Sequence, residues 1–197
     1  MIAVLLAYLL GSLSFAVLVS RLAGLPDPRT HGSGNPGATN MLRSGRQWAA
    51  LVTLIGDLAK GWLAVSFAIF FHHHGYAPAW AIAASVVAVL LGHIFPLFFG
   101  FKGGKGVATA LGVLLALSPP LGASVAIIWL AVFSVTRMSS LSALIAAAAA
   151  PVLGYWLLDS RSTTLALLLL SMLIIWRHKT NISRLLSGKE GRFIKPK

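Results

Sequence analysis

GWLAVSFAIFFHHHGYAPAWAIAASVVAVLLGHIFPLFFGF, residues 61–101, runs without a single Asp, Glu, Lys or Arg. Residues 1–20, 106–136, 138–158 and 162–176 are equally free of formal charge. About 20 apolar residues carry a helix across the hydrocarbon core of a bilayer. Lipid offers the backbone no hydrogen-bond partners, so such blocks must close their own hydrogen bonds as helices. A water-soluble domain carries about 25% charged residues. This chain of 197 residues carries 10% against 57% hydrophobic, and its blocks lack the polar face a soluble bundle would need.

The pattern predicts an all-α, polytopic transmembrane bundle of about seven spans, near 1–21, 48–71, 78–99, 106–118, 121–136, 139–158 and 162–177. The first block is read as a retained span rather than a signal peptide, because no basic residue precedes it and Arg21 follows it. Lys and Arg set the orientation. With the N-terminus outside, the inner segments hold Arg21, Arg29, Arg43, Arg46, Lys102, Lys105, Arg137 and the tail Arg177, Lys179, Arg184, Lys189, Arg192, Lys195 and Lys197, fourteen of the sixteen basic residues. The C-terminus is then cytoplasmic. The two short spans around Ser118-Pro119-Pro120 are read either as tilted spans or as a re-entrant pair, and both leave Arg137 inside. Ala146 to Ala150 form a small-residue patch suited to close helix contact. No repeat or soluble domain interrupts residues 1–197, which read as a single membrane domain.

The absence of cysteine excludes disulfides, thiolate metal sites and a thioester nucleophile. A formal charge of +12 would suggest nucleic acid in a soluble protein; here it fits positive-inside loops facing anionic headgroups. No nucleic-acid partner, cofactor or metal is expected.

Three inner segments carry chemistry. The first, His31-Gly32-Ser33-Gly34-Asn35-Pro36-Gly37-Ala38-Thr39-Asn40-Met41-Leu42-Arg43, sets glycines, hydroxyls and amides beside a guanidinium. Ser33, Thr39, Asn35 and Asn40 suit a polyol or phosphate, and Arg43 suits two phosphate oxygens at once; the bland alternative is a cytoplasmic turn using Gly and Asn for positive φ. The second, Phe101-Lys102-Gly103-Gly104-Lys105-Gly106-Val107-Ala108-Thr109, opens an apolar helix with glycines and a lysine, the makings of a phosphate cradle. It is not a nucleotide P-loop, since Phe99 and Gly106 stand where Gly and Ser or Thr are required. The third, Trp176 to Arg184 with Gly188-Lys189-Glu190, puts His178, Asn181 and Arg184 on one helix face; taken alone it reads rather as a basic anchor on anionic lipid. Glu190 is expected to partner an Arg or Lys. Asp57 and Lys60, three apart in one span, are expected to pair structurally. His93 reads as a packing residue, and the adjacent His72, His73 and His74 do not make a metal site.

Gly32 to Asn40 with Arg43, Leu91-Gly92-His93-Ile94-Phe95-Pro96 leading into Lys102 to Thr109, and His178, Asn181, Arg184, Gly188 and Glu190 resemble the three motifs of the bacterial acyl-phosphate-dependent glycerol-3-phosphate acyltransferases. Gly56-Asp57 with Lys60-Gly61 and the hydrophobic layout are similar as well. The resemblance implies a seven-span enzyme of the bacterial cytoplasmic (inner) membrane, active site facing the cytoplasm, in phospholipid synthesis. It would move a fatty acyl group from a long-chain acyl phosphate to the 1-hydroxyl of glycerol 3-phosphate, giving lysophosphatidate and phosphate. Carried over by motif, Ser33, Arg43, Lys105, His178 and Asn181 are catalytic candidates. Gly34, Asn35, Thr39, Asn40, Gly103, Gly104, Gly106, Thr109 and Arg184 are substrate-binding candidates, and Asp57, Lys60 and Glu190 structural ones. No histidine is followed five residues later by aspartate, so the donor's own phosphate is the expected proton acceptor. The rival reading is a transporter or channel for a phosphorylated anion; the clustering of candidates at one face, without a repeat, argues against it.

Overall fold

The computed structural model describes residues 1–43 and 45–193; the tail lysines Lys195 and Lys197 counted above lie outside the described residues. Among the described residues the chain is all helix with no strand. The order is α1 (Ile2–Gly11), α2 (Phe15–Leu22), α3 (Ala38–Arg43), α4 (Gln47–His73), α5 (Trp80–Ile94), a short 3-10 turn (Leu97–Phe99), α6 (Val107–Leu117), α7 (Pro119–Thr136), α8 (Ser139–Leu157), α9 (Arg161–Arg177) and α10 (Lys179–Leu186).

Four segments are long and apolar enough to cross a membrane: Gln47–His73, Trp80–Phe99, Pro119–Thr136 and Ser139–Leu157. Counting the bent pairs α1–α2 and α9–α10 as one span each raises this to six. The helices turn large apolar side chains outward, Leu51, Ile55, Phe67 and Phe70 on α4 among them. In water that surface would be costly; in lipid it is the solvated face.

The core lies between α1, α4, α5, α6, α7, α8 and α9, with Val65, Val86, Leu90, Val113, Leu121, Leu167 and Leu170 sealed from solvent. Glycine brings two helix pairs to backbone contact. A Cβ at Gly61 would collide with the Thr109 carbonyl, and one at Gly112 with the Leu58 carbonyl, which locks α4 against α6; Gly11 and Gly92 do the same for α1 and α5. Ala146, Ala147 and Ala150 are buried, and Ser171 of α9 hydrogen-bonds the Ala147 carbonyl.

Two sequence expectations change. The break between α6 and α7 falls at Ser118 alone; Pro119 and Pro120 already begin α7, where a missing N–H costs nothing, and Ser118 caps the helix through the Leu121 amide. Residues 1–21 are not one straight span. The chain breaks after Gly11 and α2 leaves at 49°. Lys60 and Asp57, 2% and 3% exposed, satisfy this break. Lys60 Nζ donates to the Leu13 carbonyl at 2.7 Å, Asp57 accepts from the Phe15 amide, and the two pair at 2.9 Å. Backbone groups freed inside a membrane need such partners.

Candidate active site

The first segment is a loop braced from within. Arg29 binds the Asp27 carboxylate through Nε and Nη2, and its Nη1 donates to the Phe99 carbonyl at 3.1 Å, tying the first loop to the second. The Arg29 hydrogen bond holds the Asp27 carboxyl down at about 2, below the usual carboxylate range. Asn40, 1% exposed, accepts from the Ser33 amide at 2.9 Å and donates to the Pro28 and His31 carbonyls. Its amide is spent on the loop, so its place is scaffold, not substrate contact as expected. Gly32 has φ +60, and a Cβ there would strike Asn40 Oδ1. The brace leaves Ser33 and Gly34 exposed at the tip, with Asn35 and Thr39 half-buried. Thr39 Oγ1 lies 3.3 Å from Ser139 Oγ at the start of α8.

The second loop turns through Gly100 and Phe101, both left-handed, and Gly106 at φ +83 opens α6. Gly103 and Gly104 were expected to point their amides at phosphate. Those N–H groups instead donate to the Ile94 and His93 carbonyls, and the glycines are needed because the loop lies directly on the end of α5. Thr109 is also corrected: fully buried, its hydroxyl is 3.1 Å from His93 Nδ1, a packing contact away from any open site. The Pro36 carbonyl packs against Gly104, bringing the first two loops side by side.

Lys105 projects toward the third segment. Its Nζ donates to Asn181 Oδ1 at 2.5 Å; Asn181 Nδ2 donates to Glu190 Oε1 at 2.7 Å; and Ser140 Oγ donates to the same oxygen at 2.5 Å. Glu190 was expected to pair with Arg or Lys; among the described residues its hydrogen-bond partners are Ser140 and Asn181, through which it reaches Lys105. Burial pushes the Lys105 ammonium down to about 8, with Glu190 opposing and the charges of Arg177, Arg184 and Arg43 adding to the shift. Arg43 also lies over the Phe193 ring, 5.8 Å from its centroid. His178 is buried between α9 and α10, its Nδ1 2.8 Å from the Ile174 carbonyl. Asn181 and Arg184 sit on α10, with Arg184 exposed.

Sequence reasoning missed Arg177 as a site residue. It donates from Nε to the Gly104 carbonyl at 3.1 Å and from Nη2 to the Gly103 carbonyl at 3.0 Å, so it shapes the second loop. Its only signal was adjacency to His178. Ser139 and Ser140, which join the first and third segments at α8, gave no signal beyond polarity at a helix start.

This arrangement gathers cations, an amide and a hydroxyl from three distant segments. Known proteins are similar to this protein along nearly the whole chain. The family model described as glycerol-3-phosphate acyltransferase matches residues 1–188. Glycerol-3-phosphate acyltransferases of Methylobacillus flagellatus and Neisseria meningitidis are each 55% identical over 190 residues, covering 96% of this chain and 95% of theirs. The crystal structure of PlsY (YgiH), an integral membrane glycerol 3-phosphate acyltransferase in its glycerol 3-phosphate form, superposes with a TM-score of 0.91 at 37% identity, covering 98% of this chain and 94% of that one. Its lysophosphatidic acid form superposes at 0.89 and 36% identity, with the same coverage. Fold and sequence agree over nearly the whole chain, and the chain belongs to the glycerol-3-phosphate acyltransferase family.

Proposed function

We infer that this protein transfers a fatty acyl group from acyl phosphate to the 1-hydroxyl of glycerol 3-phosphate, releasing lysophosphatidate and phosphate. The observation that carries this reading is the hydrogen bond that joins Lys105 of the second segment to Asn181 of the third, itself held by Glu190. An ammonium so held suits a phosphorylated substrate and a phosphate leaving group. The related PlsY, solved with glycerol 3-phosphate and with lysophosphatidic acid, supports the same acceptor and product here.

In the reaction the hydroxyl oxygen of glycerol 3-phosphate bonds to the acyl carbon and the carbon–oxygen bond to phosphate breaks. The hydroxyl proton passes to the departing phosphate. Lys105 and Arg43 stabilise the phosphate charge, Asn181 fixes Lys105, Ser33 positions substrate at the loop tip, and His178 supports the junction of α9 and α10. Gly34, Asn35, Thr39, Gly106 and Arg184 complete the substrate surround.

We place the protein in the bacterial cytoplasmic membrane with seven crossings, N-terminus outside, the three segments and C-terminus inside. Basic-residue asymmetry supports this sidedness. α6, with 11 residues, reaches roughly 16 Å at about 1.5 Å per residue, which makes it the shortest of the proposed crossings. The test is turnover by purified protein with glycerol 3-phosphate and palmitoyl phosphate. Equimolar lysophosphatidate and phosphate support the reading; flux of glycerol 3-phosphate across vesicles without phosphate release overturns it.

A further inference from the structure

Arg43 ends α3 and is exposed, and its guanidinium lies over the Phe193 ring, 5.8 Å from the centroid. We propose that Phe193 positions Arg43 for a substrate phosphate, holding the guanidinium by its face and leaving its edge to the ligand. The proposal rests on the acyltransferase reading above and adds a residue beyond positions 1–188, which the family model matches.

The ring is itself fixed. The Phe193 amide donates to the carbonyl of Arg137, the left-handed cap of α7, at 2.8 Å. The ring meets that of Phe133 edge to face, with centroids 5.9 Å apart and planes at 67°. Three residues earlier, Glu190 accepts from Ser140 at the start of α8 and from Asn181 of α10. Residues 190–193 are therefore pinned at both ends, as a strap from α10 to the turn between α7 and α8.

The first segment meets the same turn. Thr39 Oγ1 lies 3.3 Å from Ser139 Oγ. Thr39 and Arg43 are four apart on α3, so they share a face of it. With Thr39 on Ser139 and Arg43 on Phe193, α3 is set against α8 and the strap at two points one turn apart. Phe193 in turn lies within about 11 Å, along the chain, of Glu190 and so of the Lys105–Asn181–Glu190 series.

How three arginines are held decides the role. Arg29 is bound by the Asp27 carboxylate at 2.6 Å, which balances its charge. Arg177 gives Nε and Nη2 to carbonyls of the second loop. Among the described residues no hydrogen bond or ion pair holds Arg43. The N–H donors of a guanidinium lie in its plane, whereas a ring attracts it through the face. A phenyl ring can thus limit the swing of this long side chain without balancing its charge or occupying its donors; a carboxylate would do both. Two-pronged capture of a phosphate needs that charge and those donors intact.

The experiment replaces Phe193 with Leu, with Tyr and with phenylalanines carrying one, two and three ring fluorines. Fluorine drains the negative face of the ring and nearly keeps its shape. Leu keeps apolar contact with Phe133 but has no such face. Each protein is read by kcat/KM with glycerol 3-phosphate and palmitoyl phosphate, by thermal unfolding, and by calorimetric binding of glycerol 3-phosphate and of hexadecylphosphonate. With each added fluorine kcat/KM is expected to fall, by about two- to fivefold at three, the range for an exposed cation–ring contact. Phe193→Leu should fall as far and Phe193→Tyr should match wild type, all at an unchanged unfolding temperature. Arg192→Gln, at the exposed neighbour, should keep wild-type kinetics. A flat fluorine series overturns the proposal. So does a loss confined to Phe193→Leu or equalled by Arg192→Gln, since either marks a strap with a structural role alone. If wild type binds the two ligands without acyl transfer, and fluorine weakens that binding stepwise, the positioning stands and the acyltransferase reading falls.

Discussion

Lys105 Nζ and Asn181 Oδ1 meet at 2.5 Å across 76 positions of chain, and Asn181 is held in turn by Glu190. The amide is thus oriented with its oxygen toward the ammonium and its nitrogen toward the carboxylate. Lys105→Met is expected to lower kcat/KM by about two to three orders of magnitude, the range for removing one preorganised charge stabiliser. Asn181→Leu should lower it less, because the cation survives but swings free. Both are read in a phosphate-release assay beside thermal unfolding in detergent; near-normal rates in folded Lys105→Met would remove Lys105 from the chemistry.

The same burial gives a pH signature. With its ammonium near 8, Lys105 loses charge as pH rises through that value, and kcat/KM should fall along the same limb. Stability runs the other way. Between about 8 and the ordinary lysine value near 10.4, the unfolded chain binds more protons than the folded one, so this group makes the fold more stable as pH rises. Glu190 raises the Lys105 value, so Glu190→Gln should move the activity limb to lower pH; Lys105→Arg should move it well above 10 if the variant turns over. A limb that ignores both substitutions belongs to another group.

The buried Asp57–Lys60 pair makes a stability prediction. Lys60→Met leaves Asp57 uncompensated and frees the Leu13 carbonyl, a loss expected to cost about 3–5 kcal/mol. The double variant Asp57→Asn/Lys60→Met should cost less than the sum of the single changes, since no lone charge remains. A thermal-unfolding double-mutant cycle checks this; strictly additive effects would mean that the two residues act separately at the α1–α2 break.

These residues also show what was legible in the sequence. The helical membrane class followed from charge-free blocks, and Ser33, Arg43, Lys105 and Asn181 stood out because polar and cationic groups beside glycine are conspicuous in an apolar chain. The bend after Gly11 was not legible, because the groups that satisfy it, Asp57 and Lys60, lie more than forty positions away. Nor was the fate of the Gly103 and Gly104 amides: glycine advertises close approach but not whether a ligand or the end of α5 makes it. Arg177 beside Trp176 looked like an interfacial anchor, and its grip on the second loop appears only when α9 packs beside α5.

The lack of cysteine makes sidedness directly testable. His73 ends α4 and is exposed, and Ser187 follows α10 and is exposed, so a thiol at either place should be reachable by an aqueous reagent. With the N-terminus outside, the α4–α5 turn faces outward and the segment after α10 faces the cytoplasm. In spheroplasts a membrane-impermeant maleimide should therefore label His73→Cys and spare Ser187→Cys, and permeabilisation should expose the second. Because the Lys105 cluster includes Arg184 and Asn181 of α10, outward labelling of Ser187→Cys would move the whole site to the wrong side for a cytoplasmic acceptor. The experiment thus tests the topology and the proposed access of glycerol 3-phosphate at once.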